Sequence, residues 1–271
     1  MNILMRLVMP QVFFQELRKI FAYRVNFWIQ FVVSLLAQFS IAYFLWKAVF
    51  ESSGAEKIGG YSFRSMMIYY LLVPVIGRAV RGMQFGNFSE DIYQGALTKY
   101  LVYPVSVFVY KFTANLAHCV VFAAQSILII ILSSYIADPS ELSLTLSGIV
   151  QGFLAVAAAS LLFFTFNSMI ELIAFWADNV WSLLVIARFI TGLLGGSMLP
   201  LSLFPQWIQP LLTALPFAYF ASFPIRCLMG EVTFTQLLQG LGIMALWNAV
   251  FTAGFMLIWY RGKYKYTGVG I

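Results

Sequence analysis

The chain has 271 residues, of which 62% are hydrophobic and only 10% charged, and its mean hydropathy is +0.88. So little charge cannot cover a water-soluble globule of this length, which leaves a polytopic membrane protein. The 16 Lys and Arg against 10 Asp and Glu would suggest nucleic acid in a soluble protein, but here the bases flank apolar runs and anchor loops to a membrane face, so no nucleic-acid partner is expected.

The opening MNILMRLVMPQVFFQELRKIFAYR carries charges through its second half and lacks an apolar run ending in a small-residue cleavage site. No removable signal peptide is expected. Residues 10–24 predict a short amphipathic helix lying in the interface, with Phe13, Leu17, Ile20 and Phe21 on one side and Gln15, Glu16, Arg18 and Lys19 on the other. A first span follows over 27–50, with Trp28 and Trp46 near its ends. Inside it Gln30, Ser34 and Gln38 recur every four residues. Such a stripe is costly against lipid, so it faces either protein, through interhelical hydrogen bonds, or a wet path.

Residues 51–64, with Gly54, Gly59 and Gly60, read as a loop, and 65–84 as a second span kinked around Pro74 and Gly77, with Arg78 and Arg81 at its charged end. The next stretch, FSEDIYQGALTKYLVYPVS, is polar and sharply bounded between apolar runs. Phe88, Ile92, Tyr93, Ala96, Leu97, Tyr100 and Leu101 share one helical face, and Ser89, Glu90, Asp91, Gln94, Thr98 and Lys99 the other. This predicts one amphipathic helix over 88–103, capped by Ser89, favoured by Glu90 and Asp91 in its first turn and stopped by Pro104.

The run from Val105 to Ala137 is too long for one perpendicular crossing, so the third span is placed at 108–137 with the first turns and Lys111 outside the hydrocarbon. Asp138, Pro139, Ser140 and Glu141 read as a tight acidic turn, and an Ala-rich fourth span occupies 146–170. The fifth, 180–199, holds Arg188 near mid-membrane. Glu171, Asp178 or an anionic headgroup would each answer its charge, as a structural ion pair or as part of a substrate path. Residues 200–231 stay apolar yet hold five of the nine prolines, which predicts pieces of helix dipping into the outer membrane face and returning. A sixth span at 236–260 ends in the basic tail RGKYKYTGVGI.

With both termini in the cytoplasm, 12 of the 16 basic residues fall inside and only Lys47, Lys57, Arg64 and Arg226 outside. That topology puts 88–103 in the cytoplasm. Catalysis by this chain is not expected: His118 is the single histidine, and there is no HExxH and no Cys and His cluster, so no metal site is expected either. The absence of GxxxxGK[ST] means that any ATP-derived energy must come from a partner. Cys119 and Cys227 read as buried inert thiols. The pairs Gly82 with Gly86, Gly148 with Gly152 and Gly192 with Gly196 allow close helix packing, within the chain or in a dimer.

Three patterns together resemble the membrane subunit of an ABC transporter of the ABC-2 type export-permease family: FFQELRKIFAYRVNFW before the first span, SEDIYQGALTKYLVYPVS after the second, and GGSMLPLSLFPQWIQPLLTALP before the last. The resemblance implies an all-α membrane fold of six spans with an N-terminal connecting helix, a cytoplasmic coupling helix and an outer re-entrant segment. By position it carries the coupling role onto Ser89, Glu90, Asp91, Ile92, Tyr93, Gln94, Gly95, Leu97, Lys99 and Tyr100, and the connecting helix onto the segment with Glu16, Arg18 and Lys19. It also implies two ATPase subunits, which would carry ATP and Mg, a second permease subunit, identical or a sibling, and a place in the bacterial cytoplasmic membrane among its lipids. No cofactor is expected in this chain. Gln30, Ser34, Gln38 and Arg188 are the candidates for lining the pathway. Two other readings stay open: an ATP-independent carrier or channel using Lys111, His118 and Arg188, and a membrane-anchored scaffold. Which face of the coupling helix docks is also open.

Overall fold

The computed structural model describes residues 3–82, 88–102, 105–136 and 145–268, with side chains for all of these except 3–7 and 132–136. The predicted ends of the second, third and coupling helices at 84, 137 and 103, the stop at Pro104, the turn at Asp138–Glu141 and Gly86 of the first glycine pair lie outside the described residues.

The described residues form helices and turns. α1 (Ile3–Ala22) runs through Pro10 into α2 (Arg24–Ser53) with only Tyr23 between, because Tyr23 N–H still reaches the Lys19 carbonyl (3.3 Å) and Phe27 N–H the Tyr23 carbonyl (3.1 Å). α1 therefore begins well before residue 10. It packs along α6 (Val107–Ile136), with Thr113 Oγ1 3.2 Å from Met9 Sδ and the Glu16 carboxylate 3.9 Å from His118 Nε2. α2 ends where Gly54 takes φ +62° and its N–H caps the Phe50 carbonyl.

α3 (Phe63–Arg81) starts at Ser62, whose hydroxyl accepts from Ser65 N–H at 3.2 Å, and it sits between α2, α6 and α7 (Leu146–Glu171). It is the most enclosed long helix, with Met66, Tyr69, Leu72, Ile76, Ala79 and Val80 buried. α7 starts from Thr145, whose hydroxyl accepts from Gly148 N–H at 3.1 Å, and continues as one 3₁₀ turn through Leu172–Phe175. It packs on α3, on α10 (Ser222–Leu228) and on α11 (Phe234–Gly262). Gly148 and Gly152 set the approach to α10: a Cβ on Gly152 would lie 2.3 Å from Leu228 Cδ2, so this glycine pair serves packing within the chain. Cys119 and Cys227 are free and buried.

Among the described residues five helices, α2, α3, α6, α7 and α11, are long and apolar enough to cross a membrane. The fifth predicted span, 180–199, is shorter than expected. Its helix, α8, covers only Trp181–Leu194, 14 residues or about 21 Å against an apolar core of about 30 Å. The composition stays apolar past Leu194, but the chain turns at Gly195 and at Gly196 with φ +85°, and the turn is held by Tyr69 Oη donating to the Gly196 carbonyl (2.7 Å) and by Ser222 N–H donating to that of Gly195 (2.9 Å).

The proline-rich segment forms pieces of helix, as expected: a 3₁₀ turn at Leu201–Leu203, α9 (Gln209–Ala214), a 3₁₀ helix at Pro216–Phe220 and α10. Phe220, Ala221, Ile225 and Leu228 bury these pieces against α3 and α7. α11 opens with a box that sequence reading passed over, Thr233 and Gln236 each bonding the other's backbone N–H.

Candidate functional site

The segment predicted as one helix over 88–103 is two short helices, α4 (Ser89–Tyr93) and α5 (Leu97–Leu101), joined by a turn at Gln94–Ala96. Gly95 takes φ +71°, a left-handed conformation that breaks the helical ladder and that glycine adopts without strain. Tyr266, from the C-terminal tail, fills the break. Its hydroxyl donates to the Gly95 carbonyl (2.5 Å) and accepts from Thr98 N–H (3.1 Å).

Ser89 does not cap this segment. Its position is buried, and the helix start at Phe88 is served instead by Glu171, whose Oε2 accepts from Phe88 N–H at 2.6 Å while its Oε1 accepts from Asn167 Nδ2 at 2.5 Å. Glu171 is fully buried at the end of α7. Asp91 pairs at close range with the buried ammonium of Lys111 on α6, and Lys99 stands 3.9 Å from its other oxygen. Lys111 also lies 5.1 Å over the Phe88 ring and 5.0 Å over Tyr100. Tyr93 Oη donates to the Ala177 carbonyl at 3.1 Å, and burial raises its phenol above the usual range, which keeps it a donor.

These anchors fix which side of the segment faces inward. Phe88, Ile92 and Leu97 are buried among Phe164, Leu172, Phe175, Val180, Leu184 and Phe255, each contributing about 1.5–3 kcal/mol of apolar burial. Glu90, Gln94, Thr98 and Lys99 are exposed, with Gln94 Nε2 donating to Glu90 Oε1 at 3.0 Å. Leu101, placed by its periodicity with the apolar set, is instead 46% exposed beside Val102 at 78%.

Other candidates separate. Glu16 turns toward His118 and also pairs with Lys19 at 2.6 Å, while Arg18 and Lys19 are exposed on α1. On α2, Gln30 and Gln38 are exposed and Ser34 half-buried: Gln38 Nε2 donates to Ser34 Oγ at 2.8 Å and Gln30 Nε2 to Asn26 Oδ1 at 3.3 Å. This stripe therefore lies on the outside of the single chain. Arg188 sits on the exposed face of α8, in electrostatic reach of Arg81. At the far end, the loop before α3 and the proline-rich pieces enclose a polar pocket of about 490 Å³, where Glu231 Oε2 accepts from Tyr61 Oη (3.3 Å) and Arg226 Nε (3.0 Å). Sequence reading missed Tyr266, and it weighed Glu171 only as a partner for Arg188, not as the cap at Phe88. Its one available signal was Asn167 and Glu171 at helical spacing closing an apolar run.

A family model described as ABC-2 family transporter protein matches residues 36–270. The chain belongs to the ABC-2 transporter family. The match covers the 88–102 segment and the proline-rich pieces but begins after α1. With five membrane-length helices among the described residues it makes this a multi-pass membrane permease of an ABC transporter system, a class whose membrane subunits are typically non-catalytic and which implies an ATPase partner. Searches of curated proteins and of solved structures gave no match.

Proposed function

We propose that the chain is the membrane half of an ABC exporter, and that its 88–101 segment couples it to a separate ATPase subunit. The observation that carries this is the division of faces. Phe88, Ile92 and Leu97 are spent on the chain's own core, so a polar face of Glu90, Gln94, Thr98 and Lys99 is held out rigidly, tied to three elements through Glu171, Lys111 and Tyr266. A push on that face passes to α7, to α6 and to the tail after α11. Closure of two ATPases, holding ATP and Mg, would tilt these helices and shift the pathway between its inward and outward states. Membership of the ABC-2 family implies an ATPase partner, which supports this reading in a sequence without GxxxxGK[ST].

The second half of the pathway would come from another permease subunit. The Gln30, Ser34 and Gln38 stripe supports this, since it needs protein or water and only 11% of the most apolar stretch of α2 is buried within the chain. In this reading α8 with the proline-rich pieces completes a sixth crossing, both termini and α1 face the cytoplasm of a bacterial cell, and the polar pocket at Tyr61 and Arg226 lies at the outer mouth. The carrier reading loses ground because Lys111 and His118 are engaged with Asp91 and Glu16 rather than lining one path.

The test changes the exposed charges. Glu90→Lys with Gln94→Lys keeps Lys99 beside Asp91 and alters only exposed side chains, so stability stays within about 0.5 kcal/mol, while co-purification of the ATPase falls about tenfold from like-charge contact. Undiminished co-purification would sink the assignment.

A further inference from the structure

A second pocket, of about 370 Å³, opens where α1 passes into α2 beside the middle of α6. Ile20, Phe27, Ala124 and Leu128 make its walls apolar. Two groups in it are out of keeping with those walls. Gln125 is only 4% exposed, lines the pocket, and finds no hydrogen-bond partner among the described residues for either Oε1 or Nε2. A buried amide left so costs stability by about 1–3 kcal/mol, which a ligand offering both an acceptor and a donor would recover. Arg24, exposed at the first turn of α2, is the one charged residue among the described residues lining the pocket.

We propose that this pocket binds one anionic glycerophospholipid of the bilayer. The chemistry fits in three parts. The phosphate meets Arg24, reinforced by exposed Arg18 and Lys19 on the preceding turns of α1. A glycerol ester carbonyl accepts from Gln125 Nε2, and a headgroup hydroxyl, as in phosphatidylglycerol, donates to its Oε1. One acyl chain follows the walls toward Leu128, with Trp28 at the level where indole rings favour headgroups. A zwitterionic lipid brings an ammonium toward the same basic turns and is disfavoured. The inference is independent of the ATPase reading, because it needs only that α2 and α6 stand in a membrane.

The experiment is native mass spectrometry of the full chain purified in mild detergent, then titrated with phosphatidylglycerol or phosphatidylcholine of identical acyl chains. One phosphatidylglycerol retained per chain is expected, with a clear preference over phosphatidylcholine. Arg24→Gln should lower that preference about fivefold, the effect of one basic side chain near a membrane surface. Gln125→Leu should abolish retention yet raise the unfolding temperature of the lipid-free protein, since it removes an unsatisfied buried amide; this also shows that the variant folds. Equal retention of the two lipids, or retention by both variants as in the parent chain, overturns the proposal. So does a pocket that holds a second copy of the chain instead, seen as a dimer lost in Gln125→Leu without change in bound lipid.

Discussion

Asp91→Ala is expected to destabilise the protein by about 3 kcal/mol, the cost of leaving a buried ammonium without its carboxylate. Lys111 and Asp91 have side chains only 9% and 15% exposed, so water cannot take over the lost partner. The loss is specific to the charge. Asp91→Ala combined with Lys111→Met should recover most of it, because Met fills the stem's volume without the ammonium. Thermal unfolding of the single and double variants checks this, and a double variant no better than the single would contradict it. Function should follow a different course: the double variant folds but has lost the latch between α4 and α6, so ATP hydrolysis by the assembled transporter should lose its response to transport.

The second large effect is expected at Glu171. Its carboxylate receives Phe88 N–H and Asn167 Nδ2, with no exposure to solvent. Glu171→Ala strands both and should cost about 2–3 kcal/mol. Glu171→Gln keeps one carbonyl oxygen for Phe88, and the Asn167 amide can turn to offer its own oxygen to the new NH₂, so the loss should be under half as large. Equal destabilisation by Ala and Gln would mean that the hydrogen bonds are not what holds the segment to α7.

Much of this architecture was legible because a bilayer imposes length and hydropathy together. The apolar runs that predicted spans one to four and six are the five long helices, and the prolines after Leu199 break the chain into pieces as their missing N–H groups require. Hydropathy could not show that α8 stops at Leu194, since the Gly195–Gly196 turn that ends it is as apolar as the helix and is held by Tyr69, more than a hundred residues away.

The candidate site was legible as a composition and misread as a geometry. Ile92 and Leu97 fit the apolar stripe of one continuous helix equally well on either side of a break, and Gly95 alone did not signal that break. What holds it is tertiary, a hydroxyl on Tyr266 that bonds the Gly95 carbonyl. The cap came likewise from Glu171, distant in sequence, where a local rule pointed to Ser89. The docking face was open for the same reason: periodicity defines two faces, and only the packing of Phe88, Ile92 and Leu97 assigns one of them to the chain itself. Asp at Ile92 or Leu97 would therefore damage this protein's own core before it could report on a partner.

The most direct test of the coupling assignment is a photo-crosslinking amino acid placed singly at 92, 94 and 99 in native membranes. Positions 94 and 99 should capture an ATP-binding subunit, and position 92 only other parts of the same chain around Leu172 and Val180. Capture of lipid alone from 94 and 99, or of the ATPase from 92 but not from them, would contradict the account.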